Sequence, residues 1–109
     1  MFQAILRHRI SIRRQNGPMK MQCCCTLVFE CELPFKPSIH DCFYVGEDEQ
    51  DVQMVHYDIT KQRFDIECGG SLCESESEVR ESILYALSKG WTVCRMVLND
   101  AIKKAEGDG

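Results

Sequence analysis

The sequence predicts an α+β domain in which an antiparallel β-meander of about five to six strands packs on one main helix. Two observations carry this prediction. Apolar residues alternate with polar ones through residues 2–14 and again through 19–33, whereas a helical period appears only over about 75–89. A period of two indicates a strand with one buried face, and a period of 3.6 indicates an amphipathic helix. Strands that precede the helix, rather than alternating with helices, favour an α+β arrangement.

The two alternating runs are predicted to form a long N-terminal hairpin. Asn16 and Gly17 lie between them, and both residue types tolerate the positive φ angles of a tight hairpin turn. An alternative is that residues 1–18 are an extension of a domain that starts at Met19 or Met21. In the hairpin, the inward positions are Phe2, Ala4, Leu6, His8, Ile10 and Ile12 on the first strand and Met19, Met21, Cys23, Cys25, Leu27, Phe29, Cys31 and Leu33 on the second.

A second group of strands is predicted after the first hairpin. Pro34 and Pro37 must leave the sheet, because proline removes a ladder donor. The pattern then predicts a short strand over residues 41–46, an acidic loop over 47–51, and a second hairpin over 52–68 that turns through 59–61. Apolar residues alternate with polar ones in the last strand, so we expect one solvent-exposed face here as well.

The main helix is predicted over about residues 75–89. Ser75 followed by Glu78 fits a capping box, and the apolar stripe includes Val79 and Ile83. Gly90 suits the position just after a helix. The pattern over 91–105 fits either a strand or a helix. We favour a strand over 91–98 with a short helix behind it, and a flexible tail over 106–109.

Length and composition favour a single small domain over residues 1–109. The 44% apolar and 28% charged residues are ordinary for a globular protein of this size. No apolar stretch approaches the roughly 18 residues that span a bilayer, and residues 1–6 are too short for the apolar part of a secretion signal. We therefore expect a cytoplasmic protein that does not bind membranes.

Basic residues are concentrated at the start of the chain. The first 20 residues contain no acid, although the net charge of the whole chain is −4. Three interpretations are open: the solvent face of a strand, an arginine-rich organelle presequence, and a nucleic-acid-binding arm. We favour the strand, because the period is two and because the acidic remainder of the chain repels phosphate. The nucleic-acid candidates are Arg7, Arg9, Arg13, Arg14 and Lys20.

Eight cysteines raise the question of a metal site. Zinc usually takes ligands in close pairs such as CxxC, and no CxxC occurs here. The nearest candidates are His40 with Cys42 and Cys68 with Cys73. Without a secretion signal we do not expect disulfides, and we favour the alternative that most cysteines are small core residues. This core group comprises Cys23, Cys25, Cys31 and Cys68.

No motif assigns a reaction to this sequence. Phosphate-binding glycine loops, nucleophile elbows and HExxH helices are absent, and the acidic run lacks the ligand spacing of an EF-hand. We expect a non-enzymatic module without a cofactor, which binds a protein partner or a second copy of itself through an uncovered sheet face or edge. Nucleic-acid binding through the basic strand and a thiol- or zinc-dependent role are the alternatives.

Overall fold

The computed structural model describes residues 1–13 and 21–96. This part of the chain contains seven strands and one helix, which confirms a sheet-rich α+β fold. Within it, no helix is long and apolar enough to cross a membrane. In chain order the elements are β1 (Phe2–Arg13), β2 (Met21–Leu33), β3 (Cys42–Val45), β4 (Asp48–Asp58), β5 (Arg63–Cys68), β6 (Ser71–Cys73), α1 (Glu76–Ser88) and β7 (Thr92–Met96).

The strands form one mixed sheet in the order β3-β4-β5-β1-β2-β7, with β6 beside β1. The prediction of a purely antiparallel meander is therefore wrong. Strand β1 pairs antiparallel with β2 but parallel with β5 and β6. Alternation shows which face of a strand is buried, but it does not show which strand lies along each edge. The second edge of β1 needs partners for its N–H and C=O groups, and β5 and β6 supply them.

The predicted N-terminal hairpin is confirmed. Strands β1 and β2 pair from Phe2 opposite Leu33 to Arg13 opposite Met21. The predicted turn residues, 15–18, lie outside the described residues. Because β1 is flanked by strands on both sides, it is an integral part of the sheet.

A bulge in β2 changes which cysteines are buried. Ile10 lies opposite Cys25, whereas the next residue of β1, Ser11, lies opposite Cys23. Cys24 is the extra residue between them, and both Cys24 and Cys25 are fully buried. Strict alternation placed Cys24 on the polar face and Cys23 on the inward face. The bulge instead puts Cys24 in the core and leaves Cys23 half-buried.

The acidic segment 47–51, predicted as a loop, is mostly strand. In the β3–β4 hairpin Val45 lies opposite Asp48, so only Gly46 and Glu47 remain for the turn. Gly46 has a φ of +65°, which residues with a side chain rarely adopt. The loop prediction was wrong because it relied on the rarity of acidic residues in strands. Gly46 permits a two-residue turn, so the acidic residues that follow Glu47 can pair with β3.

The predicted second hairpin, 52–68, is confirmed and continues beyond its expected end. Strand β4 pairs antiparallel with β5 from Val52 opposite Cys68 to Asp58 opposite Arg63. The chain then passes through Gly69 and Gly70 and resumes as β6, along the same edge of β1. Strand β5 pairs with residues 4–7 of β1, and β6 pairs with residues 10–12.

Gly70 allows the chain to stay close to β1. A Cβ atom at this position would lie 2.5 Å from the carbonyl oxygen of Arg9, far inside the contact distance. Glycine is therefore required where β6 joins the sheet.

Helix α1 confirms the predicted helix. Its N-cap is Ser75, whose Oγ accepts a hydrogen bond from the Glu78 N–H at 3.2 Å. The Glu78 carboxylate accepts a hydrogen bond from the Glu74 N–H at 2.8 Å. In a capping box it would instead bond the N–H of the cap residue itself, Ser75. The helix buries Val79 and Ile83 against the sheet, where it contacts β1, β2, β6 and β7.

The ambiguous segment that follows the helix is a strand as far as it is described. Strand β7 pairs antiparallel with β2, with Val28 opposite Thr92 and Cys25 opposite Met96. This pairing confirms the favoured interpretation of the start of 91–105. The helix predicted behind the strand and the predicted tail, 106–109, lie outside the described residues.

We expect Gly70→Ala to lower the free energy of unfolding by about 1–3 kcal/mol, because the added methyl group must push β6 away from β1. Urea denaturation measures this change. Gly69→Ala is the matched control, since a Cβ there would meet only the flexible Gln53 side chain at 3.4 Å. Equal stability of the two variants would contradict the close approach at Gly70.

A chain that starts at Met19 is expected to lose cooperative unfolding, because it lacks the strand that joins β2 to β5 and β6. Thermal unfolding followed by circular dichroism tests this, with a chain that lacks only residues 106–109 as the control. An unchanged melting temperature after removal of residues 1–18 would show that they are an extension of the domain.

Candidate functional site

A cavity of about 570 Å³ lies between helix α1 and the sheet. On the sheet side it is lined by His8 and Ile10 from β1 and by Leu27 from β2. The start of β4, strand β6 and Trp91 also line the cavity, and the helix contributes Glu78, Glu81, Ser82, Tyr85 and Ala86. Ligand-binding cavities commonly have this size.

His8 is held in this cavity by two hydrogen bonds. Its Nδ1 lies 2.9 Å from Gln50 Oε1, and its Nε2 lies 2.8 Å from Ser71 Oγ. An amide oxygen can only accept, so Nδ1 donates to Gln50, and in the neutral ring Nε2 accepts from the Ser71 hydroxyl. Gln50 is only 7% exposed, so this bond also satisfies a buried amide oxygen. The two contacts fix both the orientation and the tautomer of His8.

Three strands bring these side chains together. His8 is an inward residue of β1, and Ser71 is the first residue of β6, where it lies opposite Ile10. Gln50 lies on β4 opposite Phe43, in the part of the strand that extends beyond its pairing with β5. The site therefore depends on β6 resuming beside β1 and on the β3–β4 hairpin reaching past β5.

Trp91 packs beside His8. The two rings meet edge to face, with 6.0 Å between their centroids. On β2, the Phe29 ring lies 5.5 Å from the Trp91 ring, centroid to centroid. Gly90, with a φ of +99°, turns the chain from α1 back towards the sheet. The Trp91 N–H donates to the Ala86 carbonyl at 3.1 Å, which holds the start of this segment against the helix.

The formally charged residues that line the cavity, in the described part of the chain, are all acids. They are Asp48, Glu49, Glu78 and Glu81. The Tyr85 hydroxyl donates to Asp48 Oδ2 at 2.9 Å, a bond that joins α1 to β4 and raises the pKa of the phenol. The Glu81 carboxylate makes no hydrogen bond or ion pair with another described residue.

A second cluster lies on the β3–β4 hairpin and shares Glu49 with the lining of the cavity. On β3, Cys42 lies opposite Asp51 of β4. Two residues further along β3, Tyr44 lies opposite Glu49 of β4. The ligand atoms of Cys42, Glu49 and Asp51 are all exposed and within 4.8 Å of one another. A hydrogen bond to Glu49 and the charges of both carboxylates raise the pKa of the Cys42 thiol to about 11. The thiol is therefore protonated at neutral pH, when it is a weak nucleophile and a weak metal ligand.

The other three metal candidates lie elsewhere. His40 is exposed before β3, where its N–H donates to the Val52 carbonyl at 3.1 Å. Cys68 is buried at the end of β5, and burial raises the pKa of its thiol to about 11. Cys73 is buried at the end of β6, with its Sγ 3.8 Å from Ser82 Oγ. Among the described residues, no group of three or more ligands includes His40, Cys68 or Cys73.

Two of the nucleic-acid candidates form ion pairs on the sheet face opposite α1. Arg9 lies 3.2 Å from Glu67, and Arg13 lies 3.7 Å from Glu74. Both pairs are exposed, so their effect on stability is small. Each carboxylate nevertheless reduces the positive potential that would attract a phosphate backbone.

The remaining nucleic-acid candidates do not add a described basic surface. Arg7 is half-buried, and its guanidinium donates to Cys94 Sγ at 3.6 Å. Arg14 and Lys20 lie outside the described residues.

No family model, curated protein sequence or solved structure matches this chain. We therefore infer what the protein binds from the geometry and chemistry of the cavity.

Sequence reasoning did not single out His8, Gln50 or Ser71 as site residues. One signal was present, because His8 is the single polar residue among the inward positions predicted for β1. Gln50 and Ser71 gave no comparable signal. Gln50 lay in a segment predicted as an acidic loop, and Ser71 lay between the predicted second hairpin, 52–68, and the predicted helix.

We expect Glu49→Gln to increase the rate at which iodoacetamide alkylates Cys42 at pH 8. The carboxylate raises the thiol pKa, so its removal lowers that pKa and increases the thiolate fraction. Peptide mapping by mass spectrometry measures the rate at Cys42. Glu47→Gln, at the exposed hairpin turn, is the matched control, and identical rates in the two variants would refute the assigned cause.

Proposed function

We propose that this protein binds a small organic cation in the cavity between α1 and the sheet. The observation that carries the proposal is the charge of the lining. Four acidic residues line the cavity, although Glu49 places its carboxylate beside Cys42 and Asp51, and none of the described lining residues is a lysine or an arginine. Attraction between opposite charges is stronger in a partly enclosed site than in bulk water, so the lining favours a cation over an anion of the same size.

Glu81 is the best-placed anchor for the cation. Asp48 already accepts a hydrogen bond from Tyr85, and Glu78 accepts one from a backbone N–H. The carboxylate of Glu81 has no such partner within the described residues. It can therefore bind an ammonium group without breaking an existing bond.

Aromatic and apolar side chains favour a ligand with an apolar part. Trp91 and Tyr85 both line the cavity, and the faces of such rings attract cations. Ile10 and Leu27 supply apolar surface on the sheet side. An arylalkyl amine combines these properties.

This proposal keeps the sequence-based expectation of a binding protein but moves the binding surface into the cavity. Association with a protein partner or a second copy through an uncovered sheet face or edge stays a hypothesis. Nucleic-acid binding has less support, because Arg9 and Arg13 already pair with carboxylates.

Phenethylamine is expected to change the fluorescence of Trp91 in a saturable manner, whereas phenylacetate, its anionic counterpart, is not. Trp91 is the sole tryptophan and lines the cavity, so its emission reports directly on binding. Raising the salt concentration should weaken the binding of the amine. Equal responses to the amine and the carboxylate would refute the proposal.

Glu81→Gln is expected to weaken phenethylamine binding about two- to fivefold, the effect of losing one partly exposed charge pair. Glu76→Gln is the matched control, because it removes the same charge from α1 outside the cavity. An equal loss in both variants would point to the net charge of the helix rather than to Glu81 as the anchor.

A further inference from the structure

We propose that Ser71 is a nucleophile activated by His8, and that the cavity cleaves carboxylic esters whose alcohol part carries a cationic amine. The preference for a cationic ester rests on the proposed function above. The activation of Ser71 does not, because it follows from the contacts of His8 alone.

The hydrogen-bonded chain has the order that nucleophilic catalysis needs. Ser71 Oγ lies 2.8 Å from His8 Nε2, which puts the hydroxyl proton within direct reach of the base. Gln50 Oε1 lies 2.9 Å from Nδ1 and accepts a hydrogen bond from its N–H, which leaves the lone pair of Nε2 directed at Ser71. A nucleophile, a base and a group that orients the base are the three parts of a catalytic triad.

The position of the chain in the fold allows a substrate to reach it. Ser71 is half-buried and lines the cavity, so its Oγ borders space that a small ester can occupy. Gln50 is a positioning residue: it is 7% exposed and held on β4. Trp91 packs edge to face against His8 at 6.0 Å and restricts rotation of the imidazole ring.

The reaction proceeds in two balanced halves. Ser71 Oγ forms a bond to the carbonyl carbon while its proton passes to His8 Nε2. The ester C–O bond then breaks, and the leaving alcohol takes that proton from Nε2. A water molecule attacks the resulting acyl-serine and gives a proton to Nε2. The acid leaves, and Ser71 recovers the proton.

A fluorophosphonate reagent tests the nucleophile in the intact protein. Ser71 Oγ is expected to bond to phosphorus with loss of fluoride, and intact mass spectrometry detects the single adduct. Trypsin releases residues 64–80 as one peptide between Arg63 and Arg80. Fragmentation of this peptide distinguishes Ser71 from Ser75 and Ser77, so the modified residue is identified in the wild-type protein even if Ser71→Ala does not fold.

Variants test the role of the base. His8→Ala is expected to reduce the labelling rate at Ser71 at least tenfold, with circular dichroism as the check on folding. Ser77→Ala, an exposed serine in the same peptide, is the matched control and should label at the wild-type rate. Labelling of Ser71 at an unchanged rate in folded His8→Ala would overturn the proposal.

Ligand protection separates this inference from the binding function. Phenethylamine should slow labelling of Ser71 if the cation and the ester share the cavity. An unchanged labelling rate in its presence would overturn the assignment of cationic esters as the substrate class. Absence of any adduct on Ser71, in a protein whose Trp91 fluorescence still responds to phenethylamine, would overturn the catalytic proposal and leave the binding function intact.

Discussion

The backbone of β1 presents N–H and C=O groups along two edges, and both edges must be paired because the strand runs through the buried centre of the sheet. The hairpin with β2 satisfies one edge along the whole strand. The other edge is shared by β5 and β6, which run parallel to β1 on either side of the pair Gly69–Gly70. The order of the remaining strands follows from this pairing, since β4 must lie outside β5 and β7 outside β2.

The cavity is a consequence of this divided edge. Because β6 is short and resumes beside β1 only after Gly70, it brings Ser71 next to the inward face of β1, within hydrogen-bond distance of His8. The β3–β4 hairpin projects past the end of β5 and places Gln50 within hydrogen-bond distance of the other ring nitrogen of His8. The Tyr85–Asp48 bond then joins this hairpin to the helix. Polar groups converge where three strands and a helix meet.

The two faces of the sheet differ in their electrostatics. On the face opposite α1, Arg9 and Arg13 lie beside carboxylates, so charges of both signs are mixed. In the cavity on the other face, the carboxylates have no lysine or arginine among the described lining residues. Cys24 and Cys25 are fully buried in the core, whereas Cys42 is exposed and a hydrogen bond to Glu49 raises the pKa of its thiol.

The sequence by itself determined the elements that depend on local interactions. These include the long hairpin, the second hairpin, the Ser75 cap and the inward position of His8, because alternation and capping are properties of neighbouring residues. Only the tertiary structure decided which strand lies along each edge of β1, where the Cys24 bulge falls, and that Gln50 and Ser71 meet His8. All of these outcomes depend on contacts between separate strands, which no local pattern records. The contacts of His8 with Gln50 and Ser71, for example, span 42 and 63 positions of the chain.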